Sequence, residues 1–504
     1  MKQLSPIDSM FVFNEREHSP MHIGPVMIYD PSSSPEDGPV RFKDVLEVFR
    51  SRLRLSPVFR RKLVKVPLDI DNPYWVEDEN FDLEFHVRHL ALPKPGDWRQ
   101  FCILIGRLHS RPLDMKRPPW EAYIIEGLDN IEGLPPGCFA MYMKIHHSAI
   151  DGATGNQIVS ELHDLSPIPS ISDRPDEWRP EAVPSQWKLL SRSYINLLKQ
   201  PSKAVSAAKT ALGSLNLPPE VAASKEGMLD HGIRFKTRFN RDISPHRVFG
   251  SVVVELEAMK AIKNTVGDCT LNDVVLAVFG GALRKYLQDK DELPEGSMVA
   301  GVPISTRRPD QHNAGGGNAV AGMRLTLGTD IEDPLQRLRA INADAVASKA
   351  YANAVSASLM VDVAESVPTS VAALGMRLMA ATGLTSRNPV VHTIVTNVPG
   401  AQTPVYMCGA KAINWIGAGC PVDGVGLFNT INSYNGLMSL AFICDRDMMP
   451  DPQFYQDCIQ ESFTELETAA RNSAKKTRAP ARGKTGRAAK GSARPKSKAA
   501  TRKA

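Results

Sequence analysis

CFAMYMKIHHSAIDGATGNQIVSELHDL, Cys138–Leu165, changes its periodicity halfway along. Its first part is a nearly unbroken apolar run of strand length, and its last part sets Ile158, Val159, Leu162 and Leu165 at helical spacing. Between them stand His146-His147-Ser148-Ala149-Ile150-Asp151-Gly152. The pattern predicts a strand, a corner and a helix, with two histidines where strand gives way to loop. Gly152 permits a backbone conformation that a side chain would forbid. A corner of this kind delivers an imidazole into the space between packed units.

Strands and helices alternate on either side of that corner. MHIGPVMIYD (21–30) and EAYIIEGL (121–128) read as strands, with RFKDVLEVFRSRLRL (41–55) as a helix between them. A second region opens on SVVVELEAMKAI (251–262). It continues with a helix at LNDVVLAVFGGALRKYL (271–287) and strands at MVAGVPIST, VHTIVTNVP and LMSLAFICD. The expected fold class is α/β, in two units over residues 1–170 and 235–470. A linker over 171–234 separates them. Proline punctuates SPIPSISDRPDEWRPEAVPSQ (166–186) and excludes long regular elements there. QWKLLSRSYINLLKQ (186–200) then aligns Trp187, Leu190, Tyr194, Leu197 and Leu198, with Lys188, Arg192 and Lys199 facing elsewhere. That basic amphipathic helix suits either packing on its own domains or lying on a membrane surface. SVAALGMRLMAATGL (370–384), broken by Arg377, reads as a core helix.

The chain has 504 residues, 42% hydrophobic and 23% charged, which excludes a disordered or fibrous protein over most of its length. No run approaches the roughly 18 apolar residues of a membrane-spanning helix. The start, MKQLSPIDSM, lacks the layout of a secretory signal, so the protein is expected inside a cell. Seven scattered cysteines without C-x-x-C spacing predict reduced, buried thiols. The net charge of +5 divides unevenly. Of 60 Lys+Arg, 13 fall between Arg471 and Ala504 and none of the 55 Asp+Glu do, which leaves 47 basic against 55 acidic residues, or −8, in the body. The tail over 471–504 has no apolar anchor and reads as a disordered basic arm for anionic lipid or as a solvated extension. Nucleic-acid binding would rest on that tail alone, because the acidic body offers no basic domain surface.

Histidine, with an ordinary pKa near 6.5, takes a proton from a hydroxyl and returns it to a leaving group at neutral pH. A metal site built on His146, His147 and Asp151 is disfavoured because adjacent strand residues point to opposite sides. There is no G-x-S-x-G for a serine hydrolase, and GGGN (315–318) is not a phosphate loop. A purely structural histidine pair remains an alternative. Farther along, Thr270 followed by Asp273 reads as a helix capping box.

These segments together resemble the bacterial wax ester synthase/acyl-CoA:diacylglycerol acyltransferases, relatives of CoA-dependent acyltransferases and peptide-synthetase condensation domains. The resemblance runs through LSPID (4–8), MHIG (21–24), YWVEDENFDLEFHVRH (74–89), RPPWEAYIIEGL (117–128), the histidine motif, LNDVVLA (271–277), VPISTR (302–307), TNVPG (396–400) and GAKAINWIGAGCPVDGVGLFNTINSYNG (409–436). It spans nearly everything except the tail. Two positions depart from the family pattern: Pro118-Pro119-Trp120 where Pro-Leu-Trp is common, and Ala401 where proline follows NVPG. Trp120 suits the core better than an acyl pocket. Asn397 and Gly400 read as turn residues.

The resemblance implies two similar α/β domains around a cleft or tunnel, with the histidine loop at their junction. It makes His147 the general base, His146 its support, and Asp151 and Gly152 structural. Asn272 and Asp273 match the family's Asn-Asp motif, and Asn272 is the candidate substrate or oxyanion contact. The implied reaction carries a long-chain acyl group from acyl-CoA to diacylglycerol, to a long-chain fatty alcohol, or to both. Neither a cofactor nor a metal is expected. Water-insoluble acceptors imply peripheral association of a cytoplasmic protein with the inner membrane or lipid droplets. Two alternatives stay open: a condensation-type transferase with a carrier-protein donor, and a non-catalytic lipid-binding or droplet protein.

Overall fold

The computed structural model describes residues 1–34, 40–150, 152–170, 178, 180–198, 233–305, 320–354, 375 and 382–478. The Phe139–His146 run is a strand buried at all eight positions, as a strand covered on both faces must be. It sits inside a seven-stranded sheet. Val26–Asp30 pairs antiparallel on one side and Trp120–Glu126 on the other, and Val87–Ala91 lies parallel to the latter at one edge. The short strand His22–Ile23 pairs with the end of the histidine strand, placing His22 opposite His146. MHIGPVMIYD is thus two strands, broken at Gly24-Pro25, where proline has no N–H to give a ladder. Gly24 instead exchanges backbone hydrogen bonds with Ala418. A Cβ there would stand 2.6 Å from the Tyr142 ring, so only glycine fits.

The second sheet has six strands, in the order Val320–Thr326, Val299–Ser305, Thr393–Pro399, Leu427–Tyr434, Leu437–Asp445 and Arg247–Glu255. SVVVELEAMKAI divides between two elements. Its strand ends at Glu255, and Leu256–Val266 is a helix that buries Leu256, Met259 and Ile262 at threefold spacing. The helices Leu271–Asp289, Pro334–Ala354 and Pro452–Arg478 complete the cover of one sheet face. Among the described residues no single helix is long and apolar enough to cross a membrane.

Two strands cross the expected boundary between the units. Tyr406–Met407 and Ala410–Ile416 belong by sequence to 235–470, yet Ala410–Ile416 pairs with Val26–Asp30 and extends the first sheet. A helix not anticipated from sequence, Trp98–Ser110, joins the halves from the other direction. Asp97 caps it by accepting from the Gln100 N–H, and its buried Phe101, Ile105 and Leu108 share one apolar core with Phe249 and Ile443 of the second sheet. Each such side chain contributes about 2 kcal/mol of burial. Gly106 lets the helix approach closely, since a Cβ would lie 2.7 Å from the Arg247 carbonyl oxygen.

Three further expectations change. The helix after the motif, Gly152–Leu162, stops before Leu165, which is 81% exposed while Ile158 and Leu162 are buried. The linker helix Gln186–Leu198 packs through Leu189 and Ser193 beside Val66, Tyr74 and Val76, whereas Trp187, Tyr194 and Ile195 are exposed. Its packed face is therefore not the Trp187 and Tyr194 stripe, and the Leu197 and Leu198 side chains lie outside the described residues. Residues 471–478 of the expected tail are helical, and the rest of the tail also lies outside. So do GGGN and most of 370–384. All seven cysteines are free thiols, and all but Cys102 are buried.

Candidate active site

The ladder stops at His146, and the two histidines meet different surroundings. His146 has no solvent exposure. Its Nδ1 accepts from the backbone N–H of Ser148 at 3.1 Å and lies 2.6 Å from Ser148 Oγ. A backbone N–H only donates, so Nδ1 holds a lone pair and the ring proton sits on Nε2. That Nε2–H donates to Glu15 Oε2 at 2.6 Å. Both nitrogens of His146 are spent inside the protein.

His147 lies one residue past the strand and is half-buried. Its backbone N–H donates to the Met21 carbonyl at 2.8 Å, and its ring stacks on Phe11 with centroids 4.0 Å apart and planes 8° apart. Phe11 and Glu15 come from the helix Pro6–Asn14 and the residue after it. That helix is held by Ser5, whose side chain accepts from the Asp8 N–H, with Pro6 at its first position. The LSPID segment thus starts the helix that supports both histidines.

Beneath this pair lies a layer of neutral histidines. His22 Nε2 donates to the His109 carbonyl at 3.0 Å, while its Nδ1 is buried with no partner among the described residues. His109 donates from Nε2 to the Gly419 carbonyl and accepts at Nδ1 from the Tyr142 hydroxyl. Burial holds the His22 imidazole well below the ordinary range and pulls His109 down to about 3, with the Lys144 ammonium adding to both shifts. Lys144, fully buried, donates to the Arg111 carbonyl at 2.6 Å and sits 3.5 Å from Glu121. Burial brings its ammonium down to about 8.

The other site residues read from sequence fall in three places. Asp151 lies outside the described residues, and Gly152 begins the helix Gly152–Leu162. Asn272 and Asp273 stand in the first turn of Leu271–Asp289, in the other half of the molecule. The Asp273 carboxylate accepts from the Thr270 N–H at 2.7 Å and from Asn342 at 3.0 Å, while the Asp273 N–H donates to Thr270 Oγ1. It is a helix cap that also ties in a neighbouring helix. Asn272 is half-buried. Trp120 is fully buried, donates from Nε1 to the Phe59 carbonyl and stacks on His86 at 4.6 Å, which makes it core. Asn397 lies within the strand Thr393–Pro399 rather than in a turn, and Gly400 follows it with the Trp415 ring 2.4 Å from where a Cβ would sit. Among the described residues no group of three or more His, Cys, Asp or Glu could hold a metal ion.

Glu15, Phe11, Met21 and Ser148 are the residues that sequence reading missed. Ser148 lay in view as an unspecified position of the motif. Nothing about a glutamate 131 positions away marks it as the partner of His146.

Comparison with known proteins places the chain as a whole. The sequence profile of the wax ester synthase/diacylglycerol acyltransferase catalytic domain matches residues 4–275, and that of the WS/DGAT C-terminal domain matches 316–467. A Mycobacterium tuberculosis protein named for diacylglycerol O-acyltransferase activity is 33% identical over 473 residues, covering 93% of this chain and 100% of the relative. The wax ester synthase/diacylglycerol acyltransferase from Marinobacter aquaeolei VT8 superposes with a TM-score of 0.66 at 27% identity, over 93% of this chain and 100% of that one. The first condensation domain of the CDA synthetase shares the fold, with a TM-score of 0.52 at 13% identity over 94% and 97% of the two chains. The chain therefore belongs to the wax ester synthase/diacylglycerol acyltransferase family of acyltransferases.

Proposed function

We propose that this protein transfers a long-chain acyl group from acyl-CoA to the hydroxyl of diacylglycerol or a long-chain fatty alcohol, with His147 as general base. One observation carries the base assignment: both His146 nitrogens are engaged inside the protein, while His147 is half-buried at the strand end with Phe11 fixing one ring face. His147 takes the acceptor's proton and the oxygen attacks the thioester carbonyl. The tetrahedral intermediate collapses, the C–S bond breaks, and the imidazolium protonates the departing CoA thiolate. No covalent acyl-enzyme is needed. Negative charge on the former carbonyl oxygen calls for a donor, and the Asn272 side-chain amide is our candidate.

The acceptors are water-insoluble, so the protein would work at an anionic membrane or lipid-droplet surface from the cytoplasmic side. Support comes from the outer face of Gln186–Leu198, where Trp187 is 79% exposed beside exposed Tyr194, Ile195, Lys188 and Arg192. The adjoining turn Pro67–Asp69 carries Leu68, 88% exposed and held at φ 60°, with Ile70 and Lys65 also exposed. Asn196 of the helix donates to Asp71, which fixes the helix beside this turn. Apolar side chains ringed by basic ones suit an anionic interface.

The deciding experiment follows CoA release from palmitoyl-CoA with diacylglycerol and hexadecanol supplied separately, in wild type and His147→Ala. Acceptor-dependent release that falls on the order of 100-fold in the variant is the expected result. Wild-type turnover in His147→Ala would overturn the base assignment. A folded wild type that is silent with both acceptors but active with an acyl carrier protein would overturn the CoA donor. For the surface, full-length protein is expected to sediment with anionic liposomes more than a 471–504 deletion does, in a salt-sensitive way. Equal sedimentation would remove the tail from that role.

A further inference from the structure

Glu15 lies just past the helix Pro6–Asn14, and its Oε2 accepts two hydrogen bonds, from His146 Nε2–H at 2.6 Å and from the Met21 N–H at 3.2 Å. The Met21 carbonyl in turn accepts the His147 N–H at 2.8 Å. Since His146 and His147 are consecutive, these contacts close a circuit: Glu15 to His146, along the peptide to His147, across to Met21 and back to Glu15. Removing any member leaves His147 held by fewer constraints. From the same segment Phe11, one helical turn before Glu15, lies flat on the His147 ring. The two histidines are therefore aimed from the N-terminal helix as well as from their own strand.

The carboxylate is not explained by ion pairing. The neighbouring Arg16 and His18 side chains are engaged with Asp423 at 3.1 and 3.3 Å. His146 is fixed as a neutral ring by the Ser148 N–H on its other nitrogen. Glu15 Oε1 is buried without a hydrogen-bond partner among the described residues, a cost that packing alone does not account for. A glutamate held there at that cost, with its other oxygen shared between the histidine ring and the strand carrying Met21, is placed to set geometry.

We infer that Glu15 is a positioning residue for acyl transfer, acting through His146 to fix the tautomer of that ring and the aim of His147. The inference rests on His147 being the base. Held by hydrogen bonds rather than by charge, the circuit should survive replacement of the carboxylate by an amide, whose oxygen still accepts from both donors.

The test uses full-length protein and measures kcat, KM for palmitoyl-CoA and the thermal midpoint for Glu15→Ala, Glu15→Gln, Glu15→Asp, His146→Ala and the Glu15→Ala/His146→Ala double variant. Glu15→Ala should lower kcat on the order of 10- to 100-fold with KM unchanged, as misplacing a reacting group by about 1 Å does. Glu15→Gln should restore kcat to within about threefold of wild type. Glu15→Asp keeps the charge and leaves only a small gap, but withdraws the acceptor by one methylene. It should lose kcat while melting like wild type, which keeps the inference testable if Glu15→Ala does not fold. The double variant should be no slower than His146→Ala alone, because residues acting as one unit are not additive. Multiplying losses in the double variant, or wild-type kcat in folded Glu15→Asp, would overturn the role assigned to Glu15 and leave the His147 assignment standing. Unchanged turnover in His147→Ala would overturn both.

Discussion

The central strands of the two sheets, Phe139–His146 and Leu427–Tyr434, are each eight residues long and buried at every position, yet they treat their polar groups differently. In the second, Asn429 donates to Thr393 and accepts from Tyr455, Thr430 donates to the Gly417 carbonyl, and Tyr434 donates to the Ala412 carbonyl while accepting from the Val405 N–H. Those polar groups bind the sheet together. In the first, buried polar atoms near the strand end are left over, namely His22 Nδ1 and Glu15 Oε1, and the chain then runs into His147. The second strand spends these side chains on structure, whereas the end of the first keeps incomplete polar contacts around its histidines. Unsatisfied buried groups are costly, and they are retained where positioning matters more than stability.

Acid should expose that asymmetry most strongly. Burial brings His109 to about 3 and His163 to about 4, and holds His22 well below the ordinary range, all in the first half. In the second half, burial pulls His392 to about 4. A histidine whose folded pKa is depressed binds more protons unfolded than folded between the folded value and about 6.5, so stability rises with pH across that window and is lost as pH falls through it. At pH 5 each such group removes about 2 kcal/mol. Thermal melts from pH 7.5 to 4.5 should show a steep loss, and hydrogen exchange should report opening around Phe139–His146 before Leu427–Tyr434. Simultaneous opening of the two strands would break the comparison.

The next effect is chemical. His147→Ala should lower turnover on the order of 100-fold, while Asn429→Ala, at the equally buried centre of the other strand, should lower the melting temperature and leave kcat of the folded fraction near wild type. Loss of kcat in both would mean that the second strand also reaches the reacting atoms. Asn272→Ala should fall between them, with a kcat loss on the order of 10-fold if its amide meets the oxyanion. Unchanged kcat would pass that role to a backbone N–H.

What could be read from sequence follows from how local each signal is. The strand, corner and helix of 138–162 were legible because apolar periodicity and a rare pair of histidines lie on one stretch, and the capping box at Thr270 and Asp273 because its partners are three residues apart. The helix Trp98–Ser110 was missed although it has an Asp97 cap and a buried stripe, and so was the transfer of 406–416 into the first sheet. Strand pairing across nearly 400 positions leaves no periodic mark on either partner. The linker helix forms, but which of its faces packs was not legible, because Leu189 meets Val66, Tyr74 and Val76, which the helix's own sequence does not encode. Glu15 failed for the same reason. Its role exists only once the chain has folded.

Smaller effects sharpen the same contrast on the structural side. Asp273→Ala removes the acceptor for the Thr270 N–H and for Asn342, and should cost about 1–2 kcal/mol of stability with little change in kcat. A kcat loss beyond threefold in folded protein would instead place Asp273 within reach of substrate.

Tyr434→Phe, of similar size, gives the cleanest control. The phenol is buried, donates to the Ala412 carbonyl at 3.1 Å and accepts from the Val405 N–H at 2.9 Å. Because Ala412 lies in the strand that crosses into the first sheet, this hydroxyl is a polar link between the halves. Removing it without changing the ring's shape leaves two backbone groups short of a partner, at about 1–2 kcal/mol. If the halves act only as joined scaffolds, chemical denaturation should shift by that amount while kcat and KM stay put. If kcat falls in proportion, the link between sheets sets the geometry at His147, and the second half positions the chemistry as well as supporting it.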